Sequence, residues 1–411
     1  MAPISTNEIN SGIEVELVPR LKQQGYAPEL VEQRRHWVEE KTGCELRHVG
    51  ACSVSTEQMR GNIENPVGAA QVPLGVAGPL LVRGEHADGT FYVPLATTEG
   101  ALIRSYERGM VTLTRSGGAT VRVYMDENRV CPVFFFRGVA EACEFSRGLE
   151  RDFEKIREVA ESTTRHGKLL GVECYPLGRE VIVNLRFFTG DAHGMNMILK
   201  ATDQACQWIM GHSLAERFLI FSGLESEKHA TGFLLPGGKG KKVVAGARLP
   251  ADIARAYLHV EPEQLVDVWQ QTMLGHTQAG ALGYNAHSAN GLTALFIACG
   301  QDVANIVNSA VGITTVERTP DGDVYVSVTL PSLTVATVGG GTGLGTAREC
   351  LAIMGCAGDG KALKLAEIAA ATVLAGEISM GAAVASGEMT AAHESYGRNR
   401  PAERRPTDEI K

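Results

Sequence analysis

The chain has 411 residues, 44% of them hydrophobic and 21% charged, with 47 acidic against 39 basic side chains and a formal net charge of −8. Its length exceeds what one small core fills and predicts two or three domains, while its composition excludes extended disorder outside the ends. The acidic balance excludes the electrostatic footprint of a nucleic-acid binder but leaves room for a local basic pocket.

Residues 1–62 are polar and read as a helical N-terminal domain, with helix-spaced apolar positions across 28–38. Short β-like runs at 70–76 and 90–95, set off by glycine and proline turns, open a large domain that is predicted to comprise 63–118 and 231–411. Between its two parts, 119–221 reads as an inserted small unit. Its predicted elements are strands at 119–125 and 130–136, a charged helix at 145–165, a strand at 180–188 and a long helix at 195–221. That alternation predicts a ferredoxin-like split βαβ module. A polar loop, 222–230, leads back to the large domain, whose Gly- and Ala-rich helices close between 361 and 393. The expected fold class is α+β.

Nine cysteines form no Cys-x-x-Cys pair. An odd, scattered set favours a reducing compartment over a disulfide framework or a zinc site, and no metal is expected. The sequence shows no secretory signal, and the apolar run 368–376 is too short for a span before it meets Glu377. A cytoplasmic protein without membrane contact is the expectation.

Four groups capable of chemistry stand far apart. Glu99 lies in Pro94-Leu95-Ala96-Thr97-Thr98-Glu99-Gly100-Ala101-Leu102, a lone acid in an apolar and hydroxylated run. It either opens a helix capped by Thr97 or Thr98, or is an acid whose surroundings raise its pKa toward working pH. Lys228, Asp302 and His393 each have an ordinary reading as a surface lysine, a helix-terminal aspartate and a tail histidine. Together the four are equipment for reducing a carbonyl or thioester with a hydride-donating cofactor. The ammonium stabilises an oxyanion, the glutamic acid delivers a proton, the aspartate holds both, and the histidine protonates a leaving group.

Gly339-Gly340-Gly341-Thr342-Gly343-Leu344-Gly345 departs from the G-x-G-x-x-G spacing and lacks the acid about 20 residues on, which disfavours a doubly wound dinucleotide domain. The run is a tight loop or a ligand contact. Thr189 to Met197 form a turn opening a long helix, whose free N–H groups suit a phosphate. Thr164 and Arg165 set a hydroxyl beside a guanidinium, a pair suited to a terminal phosphate.

From about Glu64 to Arg398 the chain resembles the 3-hydroxy-3-methylglutaryl-CoA reductase family, in the anchor-less form similar to the catalytic portion of the eukaryotic-type class. The matching stretches include Glu64-Asn65-Pro66-Val67-Gly68, Ala96-Thr97-Thr98-Glu99-Gly100, Asp191-Ala192-His193-Gly194-Met195-Asn196, Gly283-Tyr284-Asn285-Ala286-His287, Ala298-Cys299-Gly300-Gln301-Asp302 and Ala375-Gly376-Glu377-Ile378-Ser379. The resemblance implies NADPH-dependent reduction of the acyl-CoA to mevalonate and CoA. Glu99, Lys228, Asp302 and His393 would be catalytic. Asp191, Met195, Asn196, Gly339, Gly340, Gly341 and Thr342 would contact the cofactor, with Thr164 and Arg165 on its 2′-phosphate. Ser105 and Arg108 would lie near CoA. Ser222, Glu227, His229, Gln271 and Asn290 would face substrate. It also implies a homodimer or homotetramer with sites at the subunit interface.

Departures gather where the acyl carboxylate would bind. Ser226-Glu227-Lys228-His229 replaces the family's Ser-Asp-Lys-Lys, Gln271 stands for a lysine, and the second arginine expected after Arg129 is absent. Each lost charge-assisted contact is worth about 1.5–3 kcal/mol. A different acyl thioester is therefore the alternative substrate, and a non-catalytic CoA- or nucleotide-binding relative is the third reading. Asn399 stands where regulated relatives carry a phosphorylatable serine, so that control is not expected.

Overall fold

A computed structural model describes residues 28–45, 61–62 and 70–389 of the chain. Most of the proposed N-terminal domain, together with His393 and Asn399, lies outside the described residues.

Helix α1 (Pro28–Thr42) comes first, followed by the hairpin β1 (Leu74–Arg83) and β2 (Asp88–Ala96), then α2 (Leu102–Arg115). Strand β3 (Ala119–Val130) leaves this body and continues, after Cys131 and Pro132, into β4 (Val133–Phe135). Helices α3 (Val139–Gly148) and α4 (Phe153–Glu161), strands β5 (Lys168–Leu177) and β6 (Glu180–Phe188), helix α5 (Met195–His212) and β7 (Arg217–Leu219) follow. The chain returns through β8 (Gly240–Leu249), the single-turn α6 (Ala251–Ile253), α7 (Pro262–Ala279), α8 (Ser288–Ala298) and α9 (Ile306–Ser309). It closes with β9 (Ile313–Arg318), β10 (Val324–Leu333), α10 (Gly345–Ile353) and α11 (Ala362–Ser386).

The larger sheet runs β2-β1-β3-β8-β10-β9, antiparallel except for the short β1–β3 pairing. In the smaller sheet β6 pairs with β5 on one side and with β4 and the end of β3 on the other, and β7 borders β4. Each sheet has its own apolar core. Strand β3 is the joint: its first part pairs with β8, and its last three residues, Asn128 to Val130, pair with β6.

Helix α11 is the axis of the large core. Every residue from Leu365 to Ser379 is buried, as alanine and small side chains let other elements approach closely. A Cβ at Gly109 of α2 would lie 1.9 Å from the Ala375 carbonyl oxygen, so only glycine permits this crossing. The α2 face Leu102, Tyr106, Met110, Leu113, spaced at one helical turn, supplies the apolar side of the contact. By length and composition α11 alone among the described helices is long and apolar enough to cross a membrane, yet its apolar stretch is spent inside this core.

Several element expectations need correction. The predicted helix at 145–165 is two helices, α3 and α4, parted by a 3₁₀ turn after Gly148, a poor helix former. The helix predicted to run to 221 stops at His212, where Ser213 turns extended and Arg217–Leu219 pair with β4. Strand β5 went unrecognised because Gly171 and Pro176 interrupt its pattern; pairing along the whole of β6 forms it.

Candidate active site

The loop before α2 presents Glu99. Its backbone N–H donates to Thr97 Oγ1 at 3.0 Å, and Ala101, in the left-handed region at φ 70°, begins the helix. Thr97 therefore shapes the turn without capping α2, and the helix-opening reading of Glu99 gives way to a loop acid with an exposed side chain. Asn290, in the first turn of α8, donates to Glu99 Oε2 at 2.8 Å.

Asp302 follows the other end of α8. Its Oδ1 accepts from the Ala304 N–H at 3.1 Å, which leaves Oδ2 to meet Lys228 Nζ at 2.8 Å. The hydrogen bond to Asp302 raises the Lys228 pKa above its ordinary value, against partial burial that lowers it. Lys228 sits on a strained loop, with φ of 54° at Ser226 and 58° at Lys228. Ser226 Oγ lies 2.6 Å from Thr231 Oγ1, and His229 Nδ1 turns to the Glu227 carbonyl oxygen at 2.6 Å. Ser222 Oγ accepts weakly from the Leu224 N–H at 3.4 Å.

The position of α8 depends on a buried carboxylate that the motif reading passed over. Glu377 of α11 accepts from the backbone N–H of Ala286 (2.8 Å) and His287 (2.7 Å) and from the hydroxyls of Thr314 (3.0 Å) and Ser288 (3.2 Å). Burial raises its pKa, and those four donors oppose the rise. Tyr106 donates to the His287 carbonyl oxygen at 2.6 Å and stacks on the imidazole, with ring centroids 4.8 Å apart. Burial holds His287 down at about 4.

Three of the residues expected near substrate carry charge or its replacement. Glu227 turns inward, with Oε2 against Lys239 and Oε1 3.7 Å from His193 Nε2. Burial alone would push Glu227 up, but these neighbours outweigh it and hold it at about 2. His229 is exposed on the loop, and Gln271 is exposed on α7. Ser105 and Arg108 meet on α11: Ser105 donates to Ser379 Oγ at 3.1 Å, and Arg108 reaches Ser379 and the Glu388 carboxylate, the latter at 3.0 Å.

On the expected cofactor side, Asp191 accepts from the N–H groups of Gly360 (2.7 Å) and Ala362 (2.9 Å), so it ties the turn before α5 to the start of α11. Met195 and Asn196 open α5 behind Gly194, which has a φ of 76°. Thr164 Oγ1 accepts from the N–H groups of His166 and Gly167 and lies 2.8 Å from Met197 Sδ, while Arg165 points to solvent. The glycine run forms the tight loop that was one of its two expected uses. Gly341 packs on Gly300, where a Cβ would meet the Gly341 oxygen at 2.4 Å; Gly339 and Gly340, both at positive φ, have open space beside them. Thr342 Oγ1 closes the turn onto the Gly339 carbonyl oxygen at 2.7 Å.

The sequence model of the hydroxymethylglutaryl-coenzyme A reductase family matches residues 30–398. The chain belongs to this family. It is 44% identical over 375 residues to a 3-hydroxy-3-methylglutaryl-coenzyme A reductase of Methanocaldococcus jannaschii, covering 89% of this chain and 92% of that one. The relative from Methanothermobacter thermautotrophicus is also 44% identical, over 90% of this chain and 94% of its own length. Among solved structures, a reductase of Streptococcus pneumoniae superposes with a TM-score of 0.71 at 18% identity, covering 89% of this chain and 99% of that chain. A class II reductase from the same organism, described as bound to NADPH in open conformations, has a TM-score of 0.70 at 17% identity over 86% of each chain. Both likenesses concern the fold.

Within this family frame, the fold brings together two pairs, Glu99 with Asn290 and Lys228 with Asp302. They sit at opposite ends of α8, where the eight residue steps from Asn290 to Ala298 alone span about 12 Å. Lys239 and His193, which hold Glu227, were missed as individual residues. The available signal was a lysine among glycines, Gly237-Gly238-Lys239-Gly240, since such a run lets a side chain be drawn inside.

Proposed function

We propose that this protein reduces 3-hydroxy-3-methylglutaryl-CoA to mevalonate and CoA, consuming two NADPH and two protons. The observation that carries the reading is the Lys228–Asp302 ion pair, set on a strained loop beside α8, in a chain of this family. NADPH supplies a hydride to the substrate carbonyl carbon in each half-reaction. The chain's own residues manage the charge that results. Lys228 stabilises the oxyanion, Asp302 fixes the ammonium, Glu99 delivers the proton under the hold of Asn290, and His393 protonates the departing CoA thiolate.

The residues present fit NADPH. The first turn of α5 has N–H groups suited to a phosphate, Gly339 and Gly340 allow close approach, and Thr164 with the solvent-facing Arg165 suits a 2′-phosphate. On this reading 119–221, whose first residues also build the larger sheet through β3, forms a ferredoxin-like nucleotide-binding unit, 222–230 is the catalytic connection, and 63–118 with 231–411 binds CoA. Ser105 and Arg108 lie near CoA, while Ser222, Glu227, His229 and Gln271 border the acyl group. The two half-sites at opposite ends of α8 support a homodimer or higher oligomer in which one subunit completes the other's site, in the cytoplasm.

The test is NADPH oxidation with the methylglutaryl thioester beside a panel of uncharged acyl-CoAs. Turnover of the first is expected. Turnover of another thioester alone would move the assignment to a different acyl chain, for which the neutral Gln271 on α7 is the motive.

A further inference from the structure

Lys239, immediately before β8, is 0% exposed, and an ammonium taken wholly out of water is costly unless its donors are met. Three separate elements meet them. Asn128 Oδ1, at the end of β3, accepts at 2.8 Å; Met195 Sδ, the first residue of α5, lies at 3.6 Å; and the Glu227 carboxylate closes the set. The amide nitrogen of Asn128 donates to the His193 carbonyl oxygen at 2.9 Å, and His193 Nε2 lies 3.7 Å from Glu227 Oε1. The approach depends on glycine: a Cβ at Gly238 would sit 1.5 Å from the Arg129 guanidinium, which binds the Gly237 and Gly238 carbonyls.

Glu227 stands between two non-glycine residues in left-handed conformation, Ser226 and Lys228. Such backbone persists only where surrounding contacts over-determine it. The contacts on Glu227 therefore set where Lys228 points, and Lys228 Nζ reaches Asp302.

We propose that Lys239 is a positioning residue for the reduction: its buried ammonium clamps Glu227, fixes the loop that aims Lys228, and ties that loop to the cofactor-side turn opening α5. The inference rests on the reductase reading above, in which Lys228 is the oxyanion-stabilising group.

The charged and titratable groups facing this clamp are His193 from the turn before α5, Arg129 and Glu127 from β3, and Glu225 and Lys228 from the loop itself. Without Lys239 the largely buried Glu227 carboxylate loses its ammonium partner and keeps only His193. It then takes up a proton at higher pH, and the protonated form no longer anchors the loop.

Lys239→Met, of similar length and without charge, should shift the acid limb of the kcat profile upward by about one pH unit or more. Lys239→Arg should keep the wild-type profile, and adding Glu227→Gln to Lys239→Met should abolish the pH-dependent part of the loss. Infrared titration should show a protonated carboxyl band in Lys239→Met that is absent from the double variant. If Lys239→Met does not fold, His193→Gln replaces it and should move the limb in the same direction.

Loss by one common factor at all pH values, or an unmoved limb with no new carboxyl band, would overturn the clamp. Wild-type turnover of the methylglutaryl thioester tests the reductase reading separately. The infrared band reports on Glu227 whether or not that substrate is reduced.

Discussion

Lys228 and Asp302 meet at 2.8 Å although each is nearly half exposed in the single chain. A pair so open to water adds little to stability, and on the proposed reading it aims a fixed charge at a developing oxyanion. Lys228→Ala should lower kcat for both the thioester and the free aldehyde by about 10²–10³, with an unchanged melting temperature. His393→Gln should cripple thioester reduction and spare the aldehyde, which has no thiolate to expel. Steady-state kinetics on the two substrates separates these roles, and equal losses in His393→Gln would remove the thiolate assignment.

His287 behaves in the opposite way, as a buried group kept neutral. Burial lowers it from an ordinary 6.5 to about 4 in the folded chain, so the unfolded chain binds the proton first as pH falls. Its contribution is neutral above the unfolded value and increasingly destabilising between about 6.5 and about 4. From pH 7 to pH 5 that amounts to about 2 kcal/mol. His287→Phe keeps the stack on Tyr106 and needs no partner for a ring nitrogen. It should flatten this part of the stability profile in denaturant titrations at the two pH values.

At the scale of elements, two buried glutamates of α11 hold the loops that carry function or close the fold. Glu367 accepts three N–H groups of the β1–β2 turn, at 3.1, 2.9 and 2.6 Å, and Glu377 holds the start of α8. At the far end of α8, the loop bearing Asp302 lies against the glycine run through Gly300 and Gly341. Gly300→Ala would place a Cβ 2.4 Å from the Gly341 oxygen at a φ of +64°. It should cost about 1–3 kcal/mol and most of kcat, because Asp302 stands two residues on. Gly322→Ala has φ +88° but nothing within 4 Å. It should cost about 1 kcal/mol of backbone strain and leave kcat intact. Thermal melts with kinetics distinguish steric displacement of the loop from strain alone.

For the whole molecule, the Glu99–Asn290 and Lys228–Asp302 pairs stand at opposite ends of α8, and the proposed reading makes them half-sites completed by a second subunit. If one subunit's Glu99 serves another's Lys228, then Glu99→Gln and Lys228→Ala proteins, each inactive, should complement after unfolding and refolding together. Random pairing into dimers leaves one intact site in half of them, or about a quarter of wild-type activity. No recovery in the mixture would place all four groups in one subunit.

The family and the α+β class were legible in the amino-acid sequence, as was the set of groups proposed to be catalytic. Ala96-Thr97-Thr98-Glu99-Gly100, Gly300-Gln301-Asp302 and Asp191 to Asn196 are local strings whose chemistry is legible without distances. Helix α11 was legible too, since an alanine-rich run of that length packs only as a buried helix in this composition. Tertiary structure decided what those strings could not carry. It made β5 and β7 strands through pairing that overrides their own propensity, and it spent the Asp191 carboxylate on the start of α11. It also turned Glu227 inward onto Lys239, a residue 12 positions away that no motif links to it. The cost of burying a charge depends on what surrounds it in three dimensions, and those surroundings here come from β3, α5 and the Glu227 loop together.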